Sequence, residues 1–349
     1  MELKKFMGYA AMAALTIGAA SCSNEEDFSN AMTDAQELRV NVGIKNSANS
    51  VNTKAGITAT KFTNKEEIGL YIYKGKGFAE EYPQVGTHKS KNAQYKENAG
   101  VWKVATPGQG IVLSDIVGTV YAYYPYAASN DAVEAGVIPV EVKADQGTGL
   151  SDGTKDDTQT DYMWATPVSE VSNITTTSVN LSMNHALAMV SFKFVKGDYP
   201  GEGLISSIKL MNTKEIVKAG AATMDISNGA LTVSGTKSDI TIAPNAKLAK
   251  NSGDEFANNE IARMLVYPVS EKFQTGDMKV QIVLDGKQYT LPIPVKENAD
   301  TFVAGQNYQY TFKLAGKEFG NEDDDITVDV VEWKLVEAGG GDLISPDVQ

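Results

Sequence analysis

MKVQIVLDGKQYTLPIPV, residues 278–295, is the stretch that indicates the structural class of this chain. Apolar residues alternate with polar ones on both sides of its centre, which is the pattern of a strand with one buried face. The alternating apolar residues are Met278, Val280, Ile282 and Leu284 before the centre, and Tyr289, Leu291, Ile293 and Val295 after it. Asp285-Gly286 at the centre tolerates the positive φ angles of a tight turn, so the stretch predicts a β-hairpin.

Other segments repeat this pattern. ATMDISNGALTV (222–233) carries Asn228-Gly229 and predicts a second hairpin with the same kind of turn. IGLYIY (68–73) is apolar on both faces, which predicts a strand buried on both sides. Outside the first 21 residues no segment shows a long apolar period of 3.6 residues. Short strands without helices predict an all-β protein built from sandwiches and not a parallel α/β sheet.

ELRVNVGIK (37–45) is the first strand signal in the chain. Its apolar residues share one face of the predicted strand: Leu38, Val40, Val42 and Ile44. The polar stretch NSANSVNTKAGITAT (46–60) follows and predicts a loop.

The chain has one cysteine, Cys22, which cannot form an internal disulfide bond. Residues 1–21 combine a charged start with an apolar run too short to span a bilayer, as in a secretory signal peptide. Ala19-Ala20-Ser21-Cys22 resembles a lipobox, so Cys22 is predicted to carry the lipid of an outer-membrane lipoprotein. The alternative is a bystander thiol in the leader. The acidic run 23–27 resembles the surface-export signal of Bacteroidetes lipoproteins, although solvated linkers also contain such runs.

Composition argues against several classes of function. The net charge of −13 repels phosphate backbones, so nucleic acid is not expected as a partner. There is no glycine-rich phosphate-binding loop. No catalytic residue, metal or cofactor is predicted, and an enzyme is the least favoured class.

The remaining candidate ligands have ordinary structural interpretations. Of the two histidines, His88 lies in a polar loop, and His185 is expected to be a hydrogen-bonded packing residue and not a metal ligand. The acidic run 321–329 is more typical of a solvated loop than of a calcium site. Trp102 and Trp164 could line a sugar site, although core packing is the default for aromatic residues in strands.

Six segments, in order along the chain, resemble serial landmarks of the fimbrillin-like family, the subunits of Bacteroidales type V fimbriae. They are KFTNKEEIGLYIY (61–73), TVYAYYPY (119–126), DYMWAT (161–166), VNLSMNHALAMVSFKF (179–194), FVAGQNYQYTFKL (302–314) and ITVDVVEWK (326–334). The resemblance implies two tandem transthyretin-like (Ig-like) β-sandwich domains. The predicted organisation is a lipoprotein signal peptide (1–21), a linker with a removable first strand (22–54), an N-terminal sandwich (55–185), and a C-terminal sandwich with a possible donor-strand tail (186–349).

The resemblance also implies an assembly route. A surface protease cuts the lipoprotein precursor after a basic residue behind the first strand, and a strand of another subunit then replaces that first strand. Lys54-Ala55 lies in the corresponding loop, with Arg39 and Lys61 as less favoured positions. The family often has arginine at this position, whereas this chain has Lys54. A trypsin-like or Lys/Arg-specific protease is therefore expected in place of an arginine-specific one.

The C-terminal segment is the candidate donor strand. Its apolar residues are Ile326, Val328 and Val330 on one face and, after a slip in register, Val331, Trp333 and Leu335. These strands could equally complete the second sandwich. The leading hypothesis is a stalk subunit of a surface fimbria that serves adhesion, with other fimbrial subunits (stalk, anchor and tip proteins) as partners and an unknown surface ligand. The alternatives are an anchor or accessory subunit that keeps its lipid and a surface glycan-binding lipoprotein.

Overall fold

The computed structural model describes residues 37–45, 62, 65–133, 136–148, 159–196, 199–248, 260–295, 299–314 and 326–331. Strands dominate these residues, and the described helical segment is a short 3-10 turn at Ala128–Ala132. The predicted all-β class is therefore confirmed, whereas the division into two transthyretin-like domains stays a prediction. Within this part of the chain, no helix has the length and apolar character needed to cross a membrane.

The first half of the chain forms one large sheet, the N-terminal sheet. The strands of this half are β1 (Arg39–Ile44), β2 (Glu67–Lys74), β3 (Ala93–Asn98), β4 (Val101–Val104), β5 (Gly118–Tyr124), β6 (Val137–Val142), β7 (Met163–Ala165), β8 (Val168–Val171) and β9 (Ser178–His185). The N-terminal sheet has eight of them in the order β1-β9-β7-β5-β2-β3-β4, with β8 also paired to β5. β6 belongs to another sheet.

The second half contributes three smaller sheets. Its strands are β10 (Ala188–Val195), β11 (Leu204–Asn212), β12 (Lys218–Asp225), β13 (Leu231–Val233), β14 (Thr236–Lys237), β15 (Ile240–Ile242), β16 (Ala246–Lys247), β17 (Glu260–Val266), β18 (Met278–Leu284), β19 (Lys287–Pro292), β20 (Asn307–Lys313) and β21 (Ile326–Val331). One sheet has the order β17-β10-β20-β21, a second β15-β11-β18-β19 with β16 on β11, and a third β13-β12-β14 with β6 on β12.

β2 shows why the N-terminal sheet lies between two apolar cores. Ile68, Leu70 and Ile72 are fully buried in the apolar core on one face of the sheet, which we call the first core. Tyr71 and Tyr73 alternate with them and join a second core, which includes residues from β10, β11, β17, β18 and β20. The strand is therefore buried on both faces, as its sequence predicts.

β6 connects the two halves of the chain. It pairs antiparallel with β12, from Val137↔Asp225 to Val142↔Gly220. A second connection is the contact of Trp164 with the turn after β12, because a Cβ added at Gly229 would lie 2.0 Å from the indole Nε1. A strand from the first half thus completes a sheet of the second half.

The predicted hairpins are present, but their turns differ. β18 and β19 pair directly across Asp285-Gly286, with Leu284↔Lys287 as the last pair and a φ of 48° at Asp285. The hairpin of β12 and β13 closes at Met224↔Leu231, so its loop is longer than the predicted Asn228-Gly229 turn. The Asp225 carbonyl accepts the Gly229 N–H at 2.8 Å, which lets the longer loop fold back on itself.

Candidate functional site

The first strand, β1, has the buried face that its sequence predicts. Leu38 and Val40 are 1% and 4% exposed, and Val42 and Ile44 are partly buried against the same first core. The alternate positions of β1 are exposed to solvent. β1 therefore contributes one row of apolar side chains to the first core, because successive residues of a strand point to opposite faces.

β1 lies at an edge of the N-terminal sheet and pairs in parallel with β9, in register from Arg39↔Ser178 to Ile44↔Met183. The two ends of the strand carry further backbone hydrogen bonds. At its start, Leu38 N donates to Ile111 O and Arg39 N donates to Thr177 O, both at 2.8 Å. At its end, Lys45 N donates to Met183 O at 2.7 Å. The strand is thus held by one regular ladder and a few end contacts.

Tyr95 holds the start of β1 from the opposite wall of the first core. Its hydroxyl donates to the Leu38 carbonyl oxygen at 3.0 Å and accepts a bond from Ile111 N at 3.3 Å. Burial raises the pKa of Tyr95 well above its usual value, and the nearby Glu37 carboxylate acts in the same direction. The hydroxyl therefore stays neutral and keeps its proton for this bond.

β10 provides an internal comparison for β1. Each pairs in parallel with a strand late in its own half, β1 with β9 and β10 with β20. β10 also pairs antiparallel with β17, so it lies inside its sheet with ladders on both sides. Removing β10 would break two ladders, whereas removing β1 breaks one and leaves an apolar groove beside β9.

The predicted cleavage loop connects two anchored points. β1 ends beside Met183, and the next described residue, Phe62, packs edge-on against Trp102 and beside Tyr124, with ring centroids 5.2 Å apart in both cases. Lys54, Ala55 and Lys61 lie between these points, outside the described residues, as does Cys22. Arg39 lies in the β1 ladder opposite Ser178.

The candidate donor segment is described only in its first part. β21 pairs antiparallel with β20, from Phe312↔Ile326 to Asn307↔Val331, and lies at the edge of its sheet. Val328 and Val330 fall within this ladder, which has a regular register. Trp333 and Leu335 lie outside the described residues. The backbone of β21 therefore completes a sheet of its own chain in this state.

The fold and the edge strand can now be compared with known proteins. The family model described as fimbrillin-like matches residues 53–333. The chain belongs to the fimbrillin-like family. Membership places this fimbrillin-like chain among fimbrial subunits and cell-surface proteins. No curated protein matches it.

Solved structures share the fold of this fimbrillin-like chain. A protein described as a cell adhesion protein from Bacteroides uniformis is 19% identical, covers 86% of this chain and 98% of its own, and has a TM-score of 0.56. One with the same description from Bacteroides ovatus is 18% identical, with coverages of 89% and 99% and a TM-score of 0.55. A fimbrial protein from Bacteroides vulgatus is 15% identical, with coverages of 86% and 99% and a TM-score of 0.51.

The other candidate residues of this fimbrillin-like chain have packing roles. His185 is buried, and its Nδ1 lies 2.9 Å from an Asp161 oxygen, as expected for a hydrogen-bonded packing residue. Trp102 is 9% exposed in the first core, and Trp164 is partly buried against Gly229, so both tryptophans have packing contacts. The described residues contain no group of three or more His, Cys, Asp or Glu side chains placed to hold a metal ion.

Sequence reasoning missed Tyr95 and Phe62, although both contact the candidate site. Tyr95 lies in AQYKEN (93–98), where the alternation of buried and less buried residues marks an inward position. Nothing in that pattern shows which strand its hydroxyl reaches, because Leu38 is distant in the sequence. Phe62 lies between two predicted elements, where periodicity carries no information.

Proposed function

We propose that this chain is a stalk subunit of a type V fimbria that is exported as a lipoprotein acylated at Cys22. A trypsin-like or Lys/Arg-specific protease cuts it after Lys54, and a strand of another subunit then replaces β1. The polymer serves adhesion to a surface ligand. The observation that carries this proposal is the position of β1: an edge strand with a buried apolar face, followed by the segment that contains Lys54.

Energetics favours retention of β1 before the cut and exchange after it. Burying four apolar side chains contributes at most about 6–12 kcal/mol. The lower part of that range applies, because Val42 and Ile44 are only partly buried. While β1 is tethered it rebinds after each opening, but once the loop is cut it can dissociate into solution. A groove with apolar walls and an unpaired β9 edge remains for an incoming strand.

The donor in this proposal is the C-terminal segment of a second copy, which begins at β21. β21 is an edge strand with a ladder on one side only, so it can leave its own sheet at a smaller cost than β10. The residues assigned to the donor face are those named from the sequence: Ile326, Val328, Val330, Val331, Trp333 and Leu335.

A second candidate function is an anchor or accessory subunit that keeps its lipid at Cys22. Lysine at position 54 favours it, because the family often has arginine there and an arginine-specific protease would not cut after Lys54. The same protein would then stay attached to the outer membrane, with β1 in place.

The test is limited trypsin digestion of the purified full-length precursor. The variants are Lys61→Ala alone and Lys54→Ala combined with Lys61→Ala, because a cut after either lysine would free β1. The products are analysed by N-terminal sequencing and by electrophoresis without heating. We expect wild type and Lys61→Ala to give a chain that begins at Ala55 and heat-labile multimers, and the double variant to remain monomeric. Multimers from the double variant, or none from a wild-type chain cut at Ala55, would contradict the proposal.

A further inference from the structure

An exposed apolar surface lies at the end of the N-terminal sheet where β1 begins. We call this end of the sheet the start end. Gly118 of β5 pairs with both Lys74 of β2 and Val171 of β8, so these three strands share this end. Three loops leave from it: 75–92, 105–117 and 172–177. Of the eight large apolar residues exposed in the described part of the chain, four lie in these loops: Val85 (52%), Ile116 (37%), Val117 (44%) and Ile174 (76%).

Hydrogen bonds join the three loops into one surface. Asn173 N donates to Ser114 O at 2.9 Å, which brings the Ile174 loop beside Ile116 and Val117. The Tyr82 hydroxyl accepts Ser114 N at 3.0 Å and donates to Ile116 O at 2.8 Å, and so ties the loop 75–92 to the same place. The exposed side chains therefore stand on loops that are fixed relative to one another, and Ile174 is the most exposed of them.

This surface is continuous with the groove that β1 fills. The start of β1 bonds to two of the three loops, through Leu38 N to Ile111 O and Arg39 N to Thr177 O. Glu37, at the start of β1, forms a bridge with Val112 of the loop 105–117. A cut after Lys54 would release Glu37 together with β1, so the same cleavage opens the groove and removes this contact from the start end.

The two ends of the groove differ in what adjoins them. At the far end Lys45 bonds to Met183, and β9 continues from there through Ala186-Leu187 into β10. The molecule's own second half therefore adjoins that end. An incoming donor strand is attached to the rest of another subunit. That subunit would meet fewer elements of the acceptor at the start end, where Ile174 is exposed, than at the far end.

We propose that the surface formed by Ile116, Val117 and Ile174 is the contact face for a second copy of this chain, the subunit whose strand fills the β1 groove. This inference rests on the proposed function. Burying three adjoining apolar side chains against the donor adds a contact to strand insertion, since apolar area removed from water stabilises an association. It also orients the neighbour at the mouth of the groove.

Site-specific photocrosslinking tests the proposal. The only cysteine, Cys22, lies upstream of Lys54, so the cut chain contains none and a single introduced cysteine can be labelled cleanly. Ile174→Cys carries a short thiol-linked photocrosslinker. Val101→Cys is the matched control, because Val101 is 52% exposed and begins β4, next to the β3–β4 turn at the opposite end of the same sheet. Each full-length variant is cut with trypsin, labelled after the N-terminal fragment has been removed, assembled and irradiated.

We expect a heat-stable dimer from the Ile174 probe in the multimers and none from the Val101 probe. Multimers that form without any Ile174 crosslink between copies would overturn this surface while leaving strand exchange intact. A crosslink to another protein, or to lipid in uncut membrane-bound precursor with none between copies, would also overturn it. If the wild-type chain is cut so that it begins at Ala55 and gives no multimers, both the proposed function and this contact surface are contradicted.

A kinetic comparison gives an independent readout. Ile174→Asp, cut in the same way, should assemble at least about tenfold more slowly than wild type, a factor that corresponds to about 1.4 kcal/mol. Val101→Asp should assemble at the wild-type rate. Equal rates for the two aspartate variants would contradict the proposal, and the mass of the cut chains confirms that both were processed.

Discussion

Individual residues determine how firmly β1 is held in the N-terminal sheet. Val40 is the central buried residue of the strand and is 4% exposed. Tyr95 holds the adjacent Leu38 carbonyl through a neutral hydroxyl. Alternation in the sequence predicted the first of these features, because a period of two identifies a buried face. It could not predict the second, because the bond crosses the first core between segments that are far apart in the sequence and meet only after folding.

Val40→Asp should lower the free energy of unfolding of the precursor by about 3 kcal/mol or more, because it removes a buried apolar side chain and buries an unpaired charge. Chemical denaturation of the uncut chain measures this. Gly43→Ala is the matched control on the same strand. Position 43 has an unstrained φ, and an added Cβ would meet nothing within 4 Å, so the change should stay within about 1 kcal/mol. Wild-type stability for Val40→Asp would contradict the burial of this face.

Asp285 has two roles. The sequence predicted its place in the β18–β19 turn, but it did not predict the hydrogen bonds of its carboxylate. Its carboxylate accepts hydrogen bonds from Gly203 N, Leu204 N and the Tyr199 hydroxyl, at 2.8 to 3.0 Å. Burial acts to raise the pKa of this carboxyl, but these hydrogen bonds outweigh it and lower the pKa below the ordinary 3.8. The sequence identified the Asp-Gly turn but gave no sign of the distant segment that it holds.

The lowered pKa of Asp285 predicts a dependence of stability on pH. A carboxyl with a folded pKa below its unfolded pKa stabilises the protein above the unfolded value, and that contribution is lost as the pH falls through the folded value. Asp285→Asn keeps a residue that tolerates positive φ and removes the charge. We expect it to lower the unfolding free energy at pH 7 by about 1–2 kcal/mol, with the difference from wild type shrinking below about pH 4. A difference that is the same at pH 3 and pH 7 would contradict this account.

At the scale of elements, the sequence predicted strands better than their partners. The alternation in 37–45 and in 278–295 gave strands with the correct buried faces. The parallel pairing of β1 with β9 and of β10 with β20 joins segments far apart in the chain, and local periodicity contains no such information. The loop after β12 was also predicted too short, because Asp225 forms local hydrogen bonds that extend the turn around Asn228-Gly229.

Two C-terminal truncations separate the roles of β21 and of the residues that follow it. Deleting 332–349 keeps β21 in its ladder with β20, so the uncut monomer should keep wild-type stability. Deleting 326–349 removes that ladder and exposes the edge of β20, so the monomer should be less stable. Thermal unfolding of the uncut chains measures this difference.

Both truncations should stop multimer formation after cleavage if the donor lies in the C-terminal segment. Multimers from the 326–349 deletion, seen on unheated gels at the wild-type yield, would exclude a C-terminal donor. Multimers from the 332–349 deletion alone would confine the donor to β21.

At the scale of the whole molecule, the two halves of the chain are joined by more than the link at Ala186-Leu187. β6 pairs with β12, Tyr71 and Tyr73 contribute to the second core, and Trp164 packs against Gly229. The sequence predicted a boundary between 185 and 186, which is where β9 leads into β10, and that boundary stays a prediction. It did not predict that β6 would cross to a sheet of the second half, because β6 has the alternation of any edge strand.

A double-mutant cycle tests the contact between the halves. Gly229 has a φ of 73°, and a Cβ there would collide with the indole of Trp164. Gly229→Ala should therefore lower the free energy of unfolding more in the wild-type background than in the Trp164→Ala background. In the Trp164→Ala background only the cost of the positive φ remains. We expect a coupling energy of about 1 kcal/mol or more. Additive effects in chemical denaturation would mean that Trp164 does not pack on this turn.

The central claim is that β1 is a removable strand, and the most direct test uses protein taken from the cell surface. Its intact mass and N-terminal sequence are determined beside unheated gel samples. We predict a chain that begins at Ala55, without lipid, and a ladder of heat-labile multimers. A chain that begins at acylated Cys22 and retains β1, with no ladder, would contradict the claim and would favour the lipid-retaining anchor.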